Sequence, residues 1–189
     1  MKKSLLTLLL AVALTAPVFA TDKGAMELDI KAGFNVMSNV KVDFFDFDEG
    51  VDPAFTAGVD FFYYVMPQLA IGAGVQYVFN SEVDNFDDTK AGWTNIYAQA
   101  KYLFDLNNDF FNNIYPLVQV GHGILRLDPD HRENSNGLYW GIGVGTTIKE
   151  NFVFELLYSN GNATLKVGPI EPDLKYSTLQ LKVGYKFAL

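Results

Sequence analysis

Apolar and polar residues alternate with a period of two along most of the chain, and no stretch repeats at the helical period of about 3.6 residues. The pattern is clearest between Leu69 and Asn80, where apolar residues alternate with a set that contains glycine, glutamine and asparagine. Eight such segments predict eight β-strands, each near the roughly 9–11 residues that a tilted strand needs to cross a bilayer. They cover residues 26–36, 54–65, 69–80, 93–104, 114–127, 138–148, 152–159 and 175–187.

The connections between these segments alternate between long and short. The long ones cover residues 37–53, 81–92, 128–137 and 160–174, the tight ones cover 66–68 and 149–151, and 105–113 is intermediate. Outer-membrane barrels join their strands by long extracellular loops and short periplasmic turns. We therefore predict an all-β fold, an eight-stranded antiparallel up-and-down transmembrane β-barrel, with both termini in the periplasm.

Glycine distinguishes a membrane barrel from a soluble barrel with the same alternation. The polar face carries Gly33, Gly58, Gly72, Gly74, Gly141, Gly143, Gly145 and Gly184. Glycine weakens a strand, and a solvated face gives no reason to omit side chains. The narrow interior of an eight-stranded barrel does give one, because side chains crowd there. The polar face is therefore predicted to be the interior, and the apolar face to meet lipid.

Aromatic residues support this assignment, since their outward projection sorts them to the two ends of the strands. Near the periplasmic ends we expect Phe61, Tyr63, Tyr102, Phe104, Tyr115, Phe152, Phe154, Tyr185 and Phe187, and near the other rim Phe34, Phe55, Tyr77, Phe79, Trp140 and Tyr158. Two aromatic girdles at the membrane interfaces are typical of such barrels.

The first twenty residues have the composition of a cleavable secretory signal peptide. Two lysines precede an apolar run over residues 5–16, which is too short to span a bilayer as a helix, and Val18 and Ala20 provide small residues before a cleavage site. We expect residues 1–20 to be removed and residues 21–189 to form one barrel domain. The alternative is that the segment stays as a membrane anchor.

Charge and cysteine content exclude several classes of function. Loss of the two N-terminal lysines changes the formal net charge from −8 to −10, which argues against nucleic acid as a partner. The chain has no cysteine, so neither a disulfide nor a zinc–thiolate site is possible.

Inward parity also places eight charged residues in the lumen. The acids are Glu27, Asp29, Asp60 and Glu155, and the bases are Lys31, Lys101, Lys182 and Lys186. Pairing of the first and last strands should bring Asp29 and Lys31 near Lys182. Because an uncompensated interior charge is costly, we expect a paired network that plugs the lumen. The alternative is that these charges line a wet pore without pairing.

Three motifs resemble the small outer-membrane barrels of the OmpA/OmpX type and the wider porin-family group. They are Tyr115-Pro116-Leu117-Val118 leading into Gly121 and Gly123, Gly141-Ile142-Gly143-Val144-Gly145, and Val183-Gly184-Tyr185-Lys186-Phe187. The resemblance covers about Met26 to Phe187. It implies that Tyr185 and Phe187 belong to the signal read by the barrel-assembly machinery, although Ala188 and Leu189 follow the terminal aromatic residue.

Candidate chemistry is sparse. Some small barrels of this kind deacylate lipid A with a serine activated by a histidine. Here His122 projects outward with no nearby serine, and His131 lies in a charged loop four residues before Ser135. We therefore predict no catalytic residue, no cofactor and no metal site. Acidic residues cluster in the first two long loops at a density that could bind calcium, but no EF-hand spacing is present.

The sequence therefore predicts a monomeric barrel in the bacterial outer membrane, in contact with membrane lipid and lipopolysaccharide. Its first proposed role is a rigid scaffold that displays acidic extracellular loops for surface interaction or envelope integrity. A narrow porin-like channel for small solutes is the alternative, and a lipid A-modifying enzyme is a distant third.

Overall fold

The computed structural model describes residues 22–42, 47–50, 53–82, 90–106, 108, 110–127, 135–164 and 173–189. Ten strands are present in these ranges: β1 Met26–Val42, β2 Phe47–Gly50, β3 Phe55–Met66, β4 Leu69–Glu82, β5 Lys90–Tyr102, β6 Phe104–Asp105, β7 Phe111–Leu127, β8 Ser135–Ile148, β9 Phe152–Thr164 and β10 Asp173–Ala188. No described segment is a helix with the length and hydrophobicity to cross a membrane.

The eight long strands close into one antiparallel barrel. Their order is β10-β9-β8-β7-β5-β4-β3-β1, and β1 pairs with β10 to complete the ring. The closing register runs from Glu27 opposite Ala188 to Val42 opposite Leu174. The predicted fold class is therefore confirmed. We call the end of the barrel that holds both termini the terminus end, and the opposite end the loop end.

The first connection is shorter than the sequence pattern predicted. β1 continues to Val42, and β2 pairs with it from Asn39 opposite Gly50 to Val42 opposite Phe47, so the prediction of a loop over residues 37–53 was wrong. A register shift between Asn35 and Met37 explains the error. This irregularity puts two consecutive residues on the outer face, which interrupts the period of two although the strand continues.

The intermediate connection at residues 105–113 also contains strand structure. β6 pairs with β7, with Phe104 opposite Ile114 and Asp105 opposite Asn113. Two strands therefore extend past Leu103, which is buried in the barrel. The prediction of a loop over this whole range was wrong for this reason. The two predicted tight turns are confirmed, and in the second of them Lys149 and Glu150 have positive φ values of 45° and 68°.

The wall has an apolar outer face and a crowded inner face, as predicted. Large apolar side chains on the outside are about half exposed, among them Ile30, Val59, Ile71, Val75, Ile96, Val118, Val120, Ile142 and Val183. On the inside, a Cβ added to Gly145 would overlap the Tyr115 ring, and one added to Gly74 would overlap Asp60 and the Tyr97 ring. These two glycines leave room for side chains that cross the lumen.

Tyr115 corrects the girdle prediction. It was expected to face lipid, but it is 0% exposed inside the barrel. Tyr115 and Gln119 are separated by an even number of residues on β7 and therefore share a face. Since Gln119 is an interior residue, the alternation predicts that Tyr115 is interior as well. The other aromatic residues placed in the terminus-end girdle, such as Tyr63 and Phe104, do face outward.

The terminus end of the lumen holds an apolar cluster that the sequence pattern did not predict. Its buried members are Phe62, Tyr64, Ala70, Leu103, Tyr115, Leu117, Val153 and Leu157. The inner face at this end is therefore mixed: Glu27 and Lys101 are the register partners of Phe62 and Ala70, two members of the cluster.

Candidate functional site

Lys31 on β1 is the centre of a charged layer in the lumen. Its Nζ lies 2.6 Å from Glu155 Oε1, 2.8 Å from Asp60 Oδ2 and 3.4 Å from Asp29 Oδ2. Glu155 is on β9 and Asp60 is on β3, so one ammonium group links three strands of the barrel. All four side chains are buried, with exposures of 4% or less.

Lys101 forms a second ionic centre closer to the terminus end. Its Nζ donates a hydrogen bond to Glu27 Oε1 and lies 3.8 Å from Asp29 Oδ2. The same Nζ is 3.9 Å from the centroid of the Phe62 ring, within the range of a cation–π interaction. Asp29 therefore lies between the two ammonium groups and connects them electrostatically.

Three tyrosine hydroxyls donate hydrogen bonds to three of these acids. Tyr64 donates to Glu27 Oε2 at 2.6 Å, Tyr97 to Asp60 Oδ1 at 2.9 Å, and Tyr115 to Glu155 Oε1 at 3.0 Å. Sequence reasoning did not include these residues in the network. The alternation along the strands could have identified Tyr64 and Tyr97, because each lies at a position that faces the lumen on its own strand.

The remaining two lysines do not join the ionic centres directly. Lys182 Nζ donates to Gln76 Oε1 at 2.9 Å, and Gln76 Nε2 in turn donates to Gln180 Oε1 at 2.9 Å. Lys186 is buried and lies near enough to Glu27 for their charges to interact. The sequence predicted that Lys182 would lie near Asp29 and Lys31 of the first strand. Its Nζ binds the amide of Gln76 instead, and it forms no ion pair within 4 Å among the described residues.

A layer of amides and hydroxyls fills the lumen further toward the loop end. Gln119 Nε2 donates to Gln99 Oε1 at 3.0 Å, and the Tyr139 hydroxyl donates to Gln119 Oε1 at 2.8 Å. Beside the ionic layer lies a cavity of about 10 Å³, lined by Lys31, Thr56, Gly58, Asp60, Gln76, Tyr97 and Lys182. A space of this size is about that of one water molecule, so the site is a packed polar core.

The two histidines do not form a catalytic group in the described residues. His122 is exposed on the outer face of β7, where its register partners Ile96 and Leu138 are also exposed. His131 lies outside the described residues, and the side chain of Ser135 is not described. Among the residues that the structure describes, no three histidine, aspartate or glutamate side chains are arranged to hold a metal ion. Most of the acidic loop residues fall outside these ranges.

Tyr185 and Phe187 both lie on the outer side of β10 near the terminus end. Their ring centroids are 4.7 Å apart, and Tyr185 also contacts Phe152 edge-on at 5.5 Å. The three rings form a continuous outward aromatic patch beside the last strand. The signal peptide expected over residues 1–20 lies outside the described residues.

Comparison with protein-family models identifies the family to which this barrel belongs. A model described as the outer membrane protein beta-barrel domain matches residues 6–187. The chain belongs to this family. As a member of the outer membrane β-barrel family it is a bacterial outer-membrane protein, in agreement with the apolar outer face and the closed ring of strands.

Solved structures of other outer-membrane barrels share the fold of this family member. Neisserial surface protein A aligns with a TM-score of 0.57 at 17% identity, covering 87% of this chain and 99% of that chain. Ail of Yersinia pestis, in complex with the heparin analogue sucrose octasulfate, gives 0.52 at 20% identity, covering 86% and 99%. OprG of Pseudomonas aeruginosa gives 0.51 at 14% identity, covering 89% and 98%. A search of curated proteins found no match.

Proposed function

We propose that this outer-membrane barrel is a closed scaffold whose activity lies in the segments displayed at its loop end. The lumen carries no solute in this proposal, and the barrel has no catalytic role. The displayed segments serve surface interaction or envelope integrity, and the barrel acts as a monomer. The layer of ion pairs made by Lys31 and Lys101 is the observation that carries the proposal. Lys31 contacts carboxylates on β1, β3 and β9, and Lys101 on β5 reaches Glu27 on β1, so the layer spans the interior.

Energetics support a lumen that stays closed. Separating a buried ion pair without hydrating it is strongly unfavourable, and here one ammonium serves several carboxylates at once. Opening a path would require at least Lys31 and Lys101 to leave their partners and several interior hydrogen bonds to break. At the terminus end, the buried cluster around Phe62 packs against Lys101 and holds its ammonium group in place.

The charge of the displayed segments favours particular partners. Acidic residues are concentrated at positions 43, 46, 48, 49 and 52 and at positions 82, 84, 87 and 88. Like charges repel, so these segments favour a cationic surface or a polyanion bridged by divalent cations. Ail was crystallised with an anionic heparin analogue. The acidic segments of this chain would repel such a ligand unless divalent cations bridged the two.

Export and assembly are part of the same proposal. Residues 1–20 direct the chain across the inner membrane and are then removed. The outward patch of Tyr185 and Phe187 is presented to the barrel-assembly machinery during insertion, and lipopolysaccharide surrounds the folded wall. The loop end then faces the outside and the terminus end faces the periplasm.

A narrow channel is the second candidate, and the polarity of the interior favours it. The lumen holds eight charged side chains, which a small polar solute could contact if it entered. Such residues could conduct ions if their pairs separated even transiently. The two candidates differ in whether small solutes cross a membrane that contains the protein.

Two experiments in parallel separate them. In proteoliposomes, the wild type should give no swelling with small sugars or amino acids beyond that of empty vesicles. In cells lacking the protein, a variant with residues 83–89 replaced by a Gly-Ser segment should fail to restore envelope function, whereas Gln99→Ala should restore it. Swelling together with full rescue by the loop variant would reject the scaffold proposal and favour the channel.

A further inference from the structure

Trp93 and Tyr176 stack on one another inside the barrel at its loop end. Their ring centroids are 5.3 Å apart with an interplanar angle of 19°. Both side chains are buried, with exposures of 4% and 7%. Neither was singled out by the sequence pattern, because an aromatic residue with inward parity is easily assigned to ordinary packing.

The two residues come from opposite sides of the ring. Trp93 is on β5 and Tyr176 is on β10. In the closed order of eight long strands, β5 and β10 are separated by β7, β8 and β9 in one direction and by β4, β3 and β1 in the other. A contact between them therefore crosses the full width of the lumen.

The pair is held in place by polar contacts and by small neighbours. Asn35 Nδ2 donates to the Tyr176 hydroxyl at 2.6 Å, and Ser38 Oγ lies 3.3 Å from the same oxygen. On the other side, a Cβ added to Gly123 or Gly161 would lie only 3.7–3.8 Å from the Trp93 ring. These are ordinary contact distances, so the indole packs against the backbone of β7 and β9 while it reaches across to β10.

We propose that the Trp93–Tyr176 pair is a second closure of the lumen, independent of the ionic layer and in series with it. The inference deepens the proposed closed scaffold and rests on it. The two closures share no residue and depend on different interactions. The closure at the loop end depends on ring stacking, and the closure toward the terminus end depends on ion pairs. In a series arrangement, removal of one closure leaves the path blocked by the other.

The test compares four proteins by current across planar bilayers. They are the wild type, an ionic variant with Lys31→Ala and Glu155→Ala that also carries Gln99→Ala and Gln119→Ala to clear the amide layer, an aromatic variant with Trp93→Ala and Tyr176→Ala, and the combination of both. We expect steady current only from the combination. Tyr158→Ala, which removes an outward tyrosine of β9, is the matched control for loss of an aromatic side chain.

Each contrary result has a separate meaning. Steady current from the ionic variant equal to that of the combination would overturn the aromatic closure and leave the closed wild type intact. Current from the aromatic variant alone would show that the ionic layer does not seal, which also overturns the series arrangement. A silent combination would overturn it as well. Current from the wild type would instead reject the proposed function itself.

A second readout shows whether the aromatic pair is assembled in a folded barrel. The chain has two tryptophans, so Trp140→Phe leaves Trp93 as the single tryptophan, which can be excited at a wavelength that tyrosine does not absorb. Iodide added outside vesicles should quench Trp93 poorly in this background. Adding Tyr176→Ala should raise the quenching constant severalfold, whereas adding Tyr158→Ala should not change it. Equal quenching in all three proteins would contradict the closure of the loop end by the Trp93–Tyr176 pair.

Discussion

Replacement of Lys31 by methionine tests the interior network at its most connected point. Lys31 Nζ contacts Asp29, Asp60 and Glu155, and all three acids are at most 2% exposed. Neither oxygen of Asp29 and only one oxygen of Glu155 has a hydrogen-bond partner among the described residues. These carboxylates therefore depend on the ammonium for compensation. Methionine keeps most of the volume of the lysine stem and removes only the charge.

The expected loss follows from this geometry. Removing one partner of a buried ion pair typically costs about 3–5 kcal/mol, because the other charge stays buried. With three carboxylates affected, we expect a loss toward the upper end, about 4–5 kcal/mol in the free energy of unfolding at neutral pH. Adding Glu155→Gln should recover part of it, since the nearest carboxylate then carries no charge. Lys23→Met, at an exposed position outside the strands, should change stability by less than about 0.5 kcal/mol.

The assay is equilibrium unfolding of barrels refolded in lipid vesicles, followed by tryptophan fluorescence in urea or guanidinium. The slope of the transition should stay near that of the wild type, so that midpoints can be compared. A Lys31→Met barrel within about 1 kcal/mol of the wild type would refute the reasoning, since the estimate requires a desolvated and compensated charge. A double variant less stable than Lys31→Met would also contradict it.

Three further predictions concern the wall, a single hydrogen bond and the loops. Ala73→Arg places a charge on the lipid face near mid-strand and should cost about 2–4 kcal/mol in the same unfolding assay, whereas Lys149→Arg in an exposed turn should cost almost nothing. Tyr115→Phe removes the hydroxyl that donates to Glu155 and should cost about 1.5–3 kcal/mol, and a neutral result would mean that this bond is not formed in the membrane. Protease added to intact cells should cut within residues 83–89 or 165–172 and spare the Met66–Gln68 turn, and the reverse pattern would invert the proposed orientation.

Strand number, pairing order and the two faces of the wall could be predicted from the sequence, because period-two alternation and glycine placement depend only on local geometry. The same rule placed the eight interior charges, and their burial follows from parity alone. The contacts between individual charged residues could not be predicted in this way. Lys31 reaches Glu155 on β9, which is not its strand neighbour, and such contacts depend on barrel diameter and strand tilt.

Other features were missed because they break the alternation or change its meaning. The bulge beside Met37 shifts the pattern by one position, so the predicted first strand ended before the true end of β1. Tyr115 was assigned to the outer face although it shares the parity of Gln119, and the apolar cluster around Phe62 was missed because the inner face was taken to be uniformly polar. The Trp93–Tyr176 contact joins opposite strands and leaves no periodic signal in the sequence.

The most direct test of a closed lumen is the single-channel current of the wild-type barrel in a planar bilayer. The measurement needs only the refolded protein, symmetric salt and a moderate applied voltage. We expect a current that stays at the level of the bare bilayer, with no stable open state, because ion pairs, amides and a stacked aromatic pair occupy the interior. A steady and large conductance that scales with the number of inserted barrels would contradict it.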